Sequence, residues 1–128
     1  MLRADYVRLF TDGFGESRFE DLDIALSPVD LAPPAGPLNV AQFLPATQSF
    51  WVGVPAGWAG EVPHPSPQRQ IFVVVQGEFE VTASDGAVRL VGPGGVLLME
   101  DTWGIGHSTR LTGNGGGLIF AVALGDVQ

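Results

Sequence analysis

The chain has 128 residues and a net charge of −8, with 45% hydrophobic and 16% charged residues, which is the composition of one globular domain rather than a disordered chain. It has no cysteine, which excludes disulfides, Cys-ligated zinc, iron–sulfur clusters and thiol nucleophiles. Its six basic residues are scattered arginines, so a nucleic-acid footprint, which needs concentrated positive charge, is set aside.

No apolar run approaches the about 20 residues of a membrane span. Met1-Leu2-Arg3-Ala4-Asp5-Tyr6 lacks the apolar stretch of a signal peptide. The acidic balance favours solubility and repels an anionic membrane surface. The expected location is the cytoplasm, with no membrane partner.

Eighteen glycines and ten prolines punctuate the chain. They leave little room for helices and separate short runs of Val, Leu, Ile and Phe, the pattern of an all-β sandwich or barrel. Tyr6 to Phe10 is predicted as a first strand, closed by Thr11-Asp12-Gly13. Arg18 to Ser27 is predicted as a second, with Leu22, Ile24 and Leu26 on one face and Asp21 and Asp23 on the other. The acidic group Glu16, Glu20, Asp21 and Asp23 has no EF-hand spacing and suits a solvated face. Leu31 to Pro37 is a proline-rich connector. Ser49 to Val54 follows as a strand, and Ile71 to Val75 is a continuous apolar run expected to be covered on both faces.

Phe79 to Ala83 and Val88 to Val91 flank Ser84-Asp85-Gly86 and predict a β-hairpin with a type I′ turn. Val96 to Met99 follows a Gly-Pro-Gly-Gly turn. Leu118 to Leu124 follows the glycine-rich stretch ending at Gly117. That stretch lacks the Lys-Ser/Thr and helix of a phosphate loop and reads as a plain turn. Ser66 and Ser108 lie near histidines, but no Gly-x-Ser-x-Gly elbow surrounds either.

The only histidines are His64 and His107. The stretch from His64 through Ser66 and Gln70 to Gly77 resembles the first cupin signature. His64 falls on its first histidine, Ser66 on its second, Gln70 on its glutamate and Gly77 on its glycine. The second signature is matched by Gly94 to Met99 and by Gly104-Ile105-Gly106-His107, with Thr102 in place of its proline. The stretch from Pro65 to Gln70, with that from Glu100 to His107, also resembles a group of small bacterial cupins. The resemblance covers residues 57–124 and implies an all-β double-stranded β-helix, a jelly-roll barrel formed by one domain, 1–128. Residues 1–50 would then be N-terminal strands and a connector, packed on the barrel or on a partner subunit. It further implies a homodimer.

In an extended strand, alternate residues share a face. His64, Ser66, Gln68, Gln70, Phe72 and Val74 would point into the barrel, with distortion expected at Pro65 and Pro67. His107 and Thr109 would face the same space from another strand. These residues, with Trp103 on the loop before His107, are the expected lining of a small-molecule pocket. Trp51 and Trp58 read as wall and rim packing, and Phe72 as core. Cupins hold a metal with three histidines and a glutamate. Here the resemblance leaves His64, Gln70 and His107 as ligands for zinc, nickel, iron or manganese, with Glu100 or Asp101 able to add a carboxylate if the loop folds inward. Three readings stay open: a metal-dependent enzyme, a metal-free barrel with a histidine base as in some sugar-modifying cupins, and a binding module without chemistry. No carboxylate stands at an obvious partner position for either histidine.

Overall fold

The computed structural model describes residues 2–41 and 44–125. It contains eleven strands and no helix among the described residues: β1 (Arg3–Thr11), β2 (Ser17–Ala25), β3 (Ser27–Val29), β4 (Leu38–Val40), β5 (Ala46–Val54), β6 (Gln70–Gln76), β7 (Phe79–Ala83), β8 (Val88–Val91), β9 (Val96–Glu100), β10 (His107–Leu111) and β11 (Gly117–Leu124). No helix is therefore long and apolar enough to cross a membrane among those residues.

Six strands form one sheet in the order β2-β1-β9-β6-β11-β5, and β10-β7-β8 form a second. All pairings are antiparallel except β1 with β9, which is parallel over Val7↔Leu97 to Phe10↔Glu100. The chain leaves the large sheet for β7 and β8, returns for β9, leaves again for β10 and closes with β11, the all-β jelly-roll arrangement expected from the sequence. The N-terminal strands are not an external layer: β1 sits inside the large sheet between β2 and β9.

Alternation explains the core. Leu9, Leu97, Met99, Val74, Ile119 and Val54 come from the large sheet. Phe79, Val81, Ala83 and Val91 face them from the small one. Leu9 is fully buried, and truncating such a side chain to alanine costs about 2–5 kcal/mol.

Three local expectations are corrected. The second strand ends at Ala25, and Ser27 begins a separate β3–β4 ribbon around the Leu31 to Pro37 connector. Ile71 to Val75 is covered unevenly, with Ile71, Phe72 and Val73 half-buried. Val74 is buried, whereas Val75 on the outer side is 40% exposed. The β7–β8 hairpin has the predicted strands but not the type I′ turn. Only Gly86 has positive φ, at 93°, and no non-glycine residue does. Gly86 N donates to Ala83 O and Ala83 N donates to Ala87 O. This is a three-residue loop with glycine in the left-handed position, which spares Asp85 a strained backbone.

The β3–β4 ribbon pairs with no other strand among the described residues, and Val29, Leu31 and Leu38 on it are 42%, 51% and 49% exposed.

Candidate functional site

The two sheets part at one end of the barrel around a cavity of about 410 Å³. His64, Ser66, Gln68, Gln70, Phe72, His107 and Thr109 are among the residues that line it. His64, Ser66 and Gln68 reach it by a different route from the extended strand expected. Regular strand begins only at Gln70, and residues 55–69 form a strap across the cavity mouth. Pro65 and Pro67 interrupt any ladder, and the strap pairs with the barrel through an isolated β-bridge between His64 and His107. There His64 N donates to His107 O and His107 N donates to His64 O, both at 3.0 Å. Ser66 N adds a bond to Asp101 O at 2.9 Å.

The bridge is what sets the two histidines side by side. Their ring centroids are 5.1 Å apart with planes inclined by 46°. Gly106 makes the approach feasible. Its φ is +81°, and a Cβ there would lie 2.1–2.2 Å from the His64 carbonyl group. Only glycine meets both conditions.

Each ring is oriented by its Nδ1. His64 Nδ1 lies 3.1 Å from Val62 O. A carbonyl oxygen only accepts, so this nitrogen carries the hydrogen. His107 Nδ1 lies 2.5 Å from Asp101 Oδ2, and a carboxylate likewise accepts. In the neutral form, each ring therefore presents Nε2 to the cavity as an acceptor. His107 and Asp101 are 6% and 0% exposed, so the pair is a buried dyad. Asp101 Oδ1 has no hydrogen-bond partner.

The missing partner carboxylate of the sequence reading is thus present. Asp101 precedes His107 by six residues, and the loop 101–106 folds back to bring them together. Ile105 N donates to Gly15 O at 3.0 Å, and Thr11 Oγ1 donates to Trp103 O at 2.9 Å. The buried Ser17 donates to Gly106 O and accepts from Ser84 N, both at 2.7 Å. These anchors belong to the β1–β2 hairpin, so the N-terminal segment positions the dyad.

The same anchors turn Trp103 away from the cavity. Its side chain lies near Gly15, and the residue is 53% exposed, contrary to the expectation that it lines the pocket. Trp58, assigned from sequence to rim packing, does line the mouth, as do Phe50, Phe79 and Met99. No sequence signal marked these; they become lining through barrel closure. Phe72 is half-buried on the cavity wall rather than fully buried core.

The donor set does not fit a resident divalent ion. Among the described residues no group of three or more His, Asp or Glu side chains is arranged to hold one. His64 and His107 supply two imidazoles, and Gln70 donates through Nε2 to Ser66 Oγ at 3.0 Å, leaving a neutral amide oxygen. Protein metal sites of this kind use at least three strong ligands. Asp101 stands behind the His107 ring on Nδ1, the place of an orienting carboxylate. Glu100 points elsewhere: its carboxylate accepts from Arg8 Nε at 2.5 Å and Arg69 Nε at 2.7 Å. Burial works to raise the Glu100 pKa, but the two guanidinium partners outweigh it and hold the carboxyl below its usual range.

A wider groove of about 580 Å³ runs along Asp5, Asp21, Asp23 and Leu90. It carries no histidine, and Asp23 and Asp21 are held by Arg3 and Arg89. The chemistry converges in the smaller cavity.

The chain is an all-β jelly-roll barrel in which two histidines meet in a cavity between the sheets. Two solved structures are similar to it. One is the Cnp3 cupin domain of Schizosaccharomyces pombe, at 15% identity over 98% of this chain and 89% of that one, with a TM-score of 0.49. The other is a putative ethanolamine utilization protein Q (EutQ) of Salmonella typhimurium LT2, at 13% identity over 97% of this chain and 98% of that one, with a TM-score of 0.32. Neither similarity is close enough to carry a ligand or an activity across. No protein-family model matches the chain, and no curated protein does.

Proposed function

We propose that this chain binds a small molecule in the barrel cavity, without a metal, and that His107 backed by Asp101 receives a hydrogen or proton from that molecule. The dyad carries the reading. An imidazole held in one tautomer by a buried carboxylate is the arrangement of a general base, because the carboxylate balances the ring's charge once Nε2 is protonated. Apolar walls with a few convergent polar groups support ligand binding. Turnover then requires a ligand with an abstractable proton; a ligand without one is simply held.

Thermal melts against a panel of small neutral compounds test the reading. A binder raises Tm in proportion to RT ln(1 + [L]/Kd), about 2.7 kcal/mol at 100 Kd. The rise is expected to vanish in His107→Ala and in Val52→Trp, which fills the cavity. No stabilising compound, or a rise that persists in Val52→Trp, overturns it.

We also infer that a second copy covers the β3–β4 ribbon. A two-stranded ribbon that pairs with no other strand among the described residues is marginal in water, and this one exposes Val29, Leu31 and Leu38. Sedimentation is expected to give a dimer that Leu38→Asp dissociates; a wild-type monomer at all concentrations contradicts this.

A further inference from the structure

We infer that the cavity takes an uncharged, ring-sized molecule carrying one or two hydroxyl or N–H donors at one end, a phenol or a comparable aromatic alcohol. This rests on the cavity being the binding site and adds the chemical class of its occupant.

The first observation is the charge of the lining. No arginine, aspartate or glutamate lines the cavity. All six arginines of the chain are engaged in ion pairs: Arg3 with Asp23, Arg8 and Arg69 with Glu100, Arg18 with Asp12, Arg89 with Asp21, and Arg110 with Glu80. A phosphate or carboxylate entering the cavity would lose its hydration without a cation to replace it, and the net charge of −8 would oppose its approach. A cationic amine meets the complementary problem. Asp101, the nearest carboxylate, is shielded behind the His107 ring and already bonded to it.

The second observation is the sense of the hydrogen-bonding groups. With Nδ1 of both rings engaged, His64 and His107 each offer an acceptor at Nε2. Gln70 gives one of its two amide hydrogens to Ser66 Oγ and also offers an acceptor oxygen. Thr109 adds a hydroxyl, while that of Ser66 is bonded to Gln68 O and Gln70 Nε2. The two imidazoles are acceptors without a donor to spare, so a ligand that supplies a hydroxyl or N–H donor is matched there.

The third is shape. Phe50, Trp58, Phe72 and Phe79 wall the cavity, and aromatic faces pack rings edge-on or offset. A volume of about 410 Å³ lies toward the small end of the about 300–1,000 Å³ of ligand pockets. That suits a ligand of one or two rings.

Calorimetric titration with five probes sharing one ring tests the inference: phenol, toluene, benzoate, phenyl phosphate and benzylamine. Phenol is expected to bind at least tenfold more tightly than each of the others. His64→Ala/His107→Ala is expected to bring phenol down to the affinity of toluene while leaving toluene unchanged, which shows the cavity intact. Benzoate, phenyl phosphate or benzylamine binding as tightly as phenol overturns the class. Toluene equalling phenol also overturns it, while leaving the cavity as a binding site. Binding of none, or equal binding of all to Val52→Trp, removes the cavity reading itself.

Discussion

Replacing Asp101 by asparagine changes one atom in the buried dyad and leaves its volume untouched. The wild-type bond joins two groups that are 6% and 0% exposed, at 2.5 Å. A hydrogen bond to a charged partner contributes about 1.5–3 kcal/mol. The asparagine has two ways to sit. With its oxygen toward His107 Nδ1, its NH₂ occupies the place of Asp101 Oδ1, which has no partner; an orphaned buried donor costs about 1–3 kcal/mol. With its NH₂ toward Nδ1, the ring must carry its hydrogen on Nε2, and the cavity loses an acceptor. Either way the charge is gone. The expected destabilisation is about 1–3 kcal/mol, which for a domain of this size lowers Tm by roughly 3–15 °C. Affinity for a hydroxyl-bearing ligand should also fall at least tenfold where the second arrangement prevails. Calorimetric melts and ligand titration of Asp101→Asn measure both. A variant melting within about 1 °C of wild type, with unchanged affinity, refutes the dyad as described.

Gly106→Ala should be destabilised by more than the about 1–2 kcal/mol of a left-handed alanine, because its Cβ meets the His64 carbonyl. Hydrogen exchange should show the His64 and His107 amides losing protection together; protection retained at both counts against the bridge. Glu100→Gln tests the Arg8–Glu100–Arg69 cluster. The folded pKa of Glu100 lies below its ordinary 4.5, so its stabilisation is fully present above that value and is lost as pH falls through the lowered one. The gap between wild type and variant should therefore be widest near neutral pH and close in acid; a gap independent of pH contradicts this. Dialysis against chelator, and addition of zinc, nickel, iron(II) or manganese, should each leave Tm unchanged. A metal-dependent rise that His64→Ala abolishes would restore the metal-dependent reading.

Much of the fold was legible because alternation and turn chemistry are local. Phe79 to Ala83 and Val88 to Val91 appear as predicted strands, with Gly86 in the turn. What was not legible depends on contacts between distant segments. The β1–β9 parallel pairing is set by barrel closure. The dyad depends on a six-residue loop held by Gly15 and Ser17 from the N-terminal hairpin, about 90 residues away, as loop-closing contacts often are. Spacing placed His64, Ser66, Gln68 and Gln70 at the cavity although the strand that spacing assumed does not exist there. The two prolines break the ladder, and the His64–His107 bridge restores the direction. Trp103 was misassigned for the opposite reason: its position in sequence is close to His107, but its carbonyl is tied to Thr11 and its ring faces outward.

The state of the two rings is observable directly. Nitrogen-15 spectra of the imidazoles, recorded where both rings are neutral, distinguish the tautomers, and phenol can then be added. Hydrogens on Nδ1 of both His64 and His107, with both Nε2 signals displaced by phenol, are the predicted result. A hydrogen on His107 Nε2, or Nε2 signals indifferent to every small molecule that binds, would contradict a ligand site built on these two acceptors.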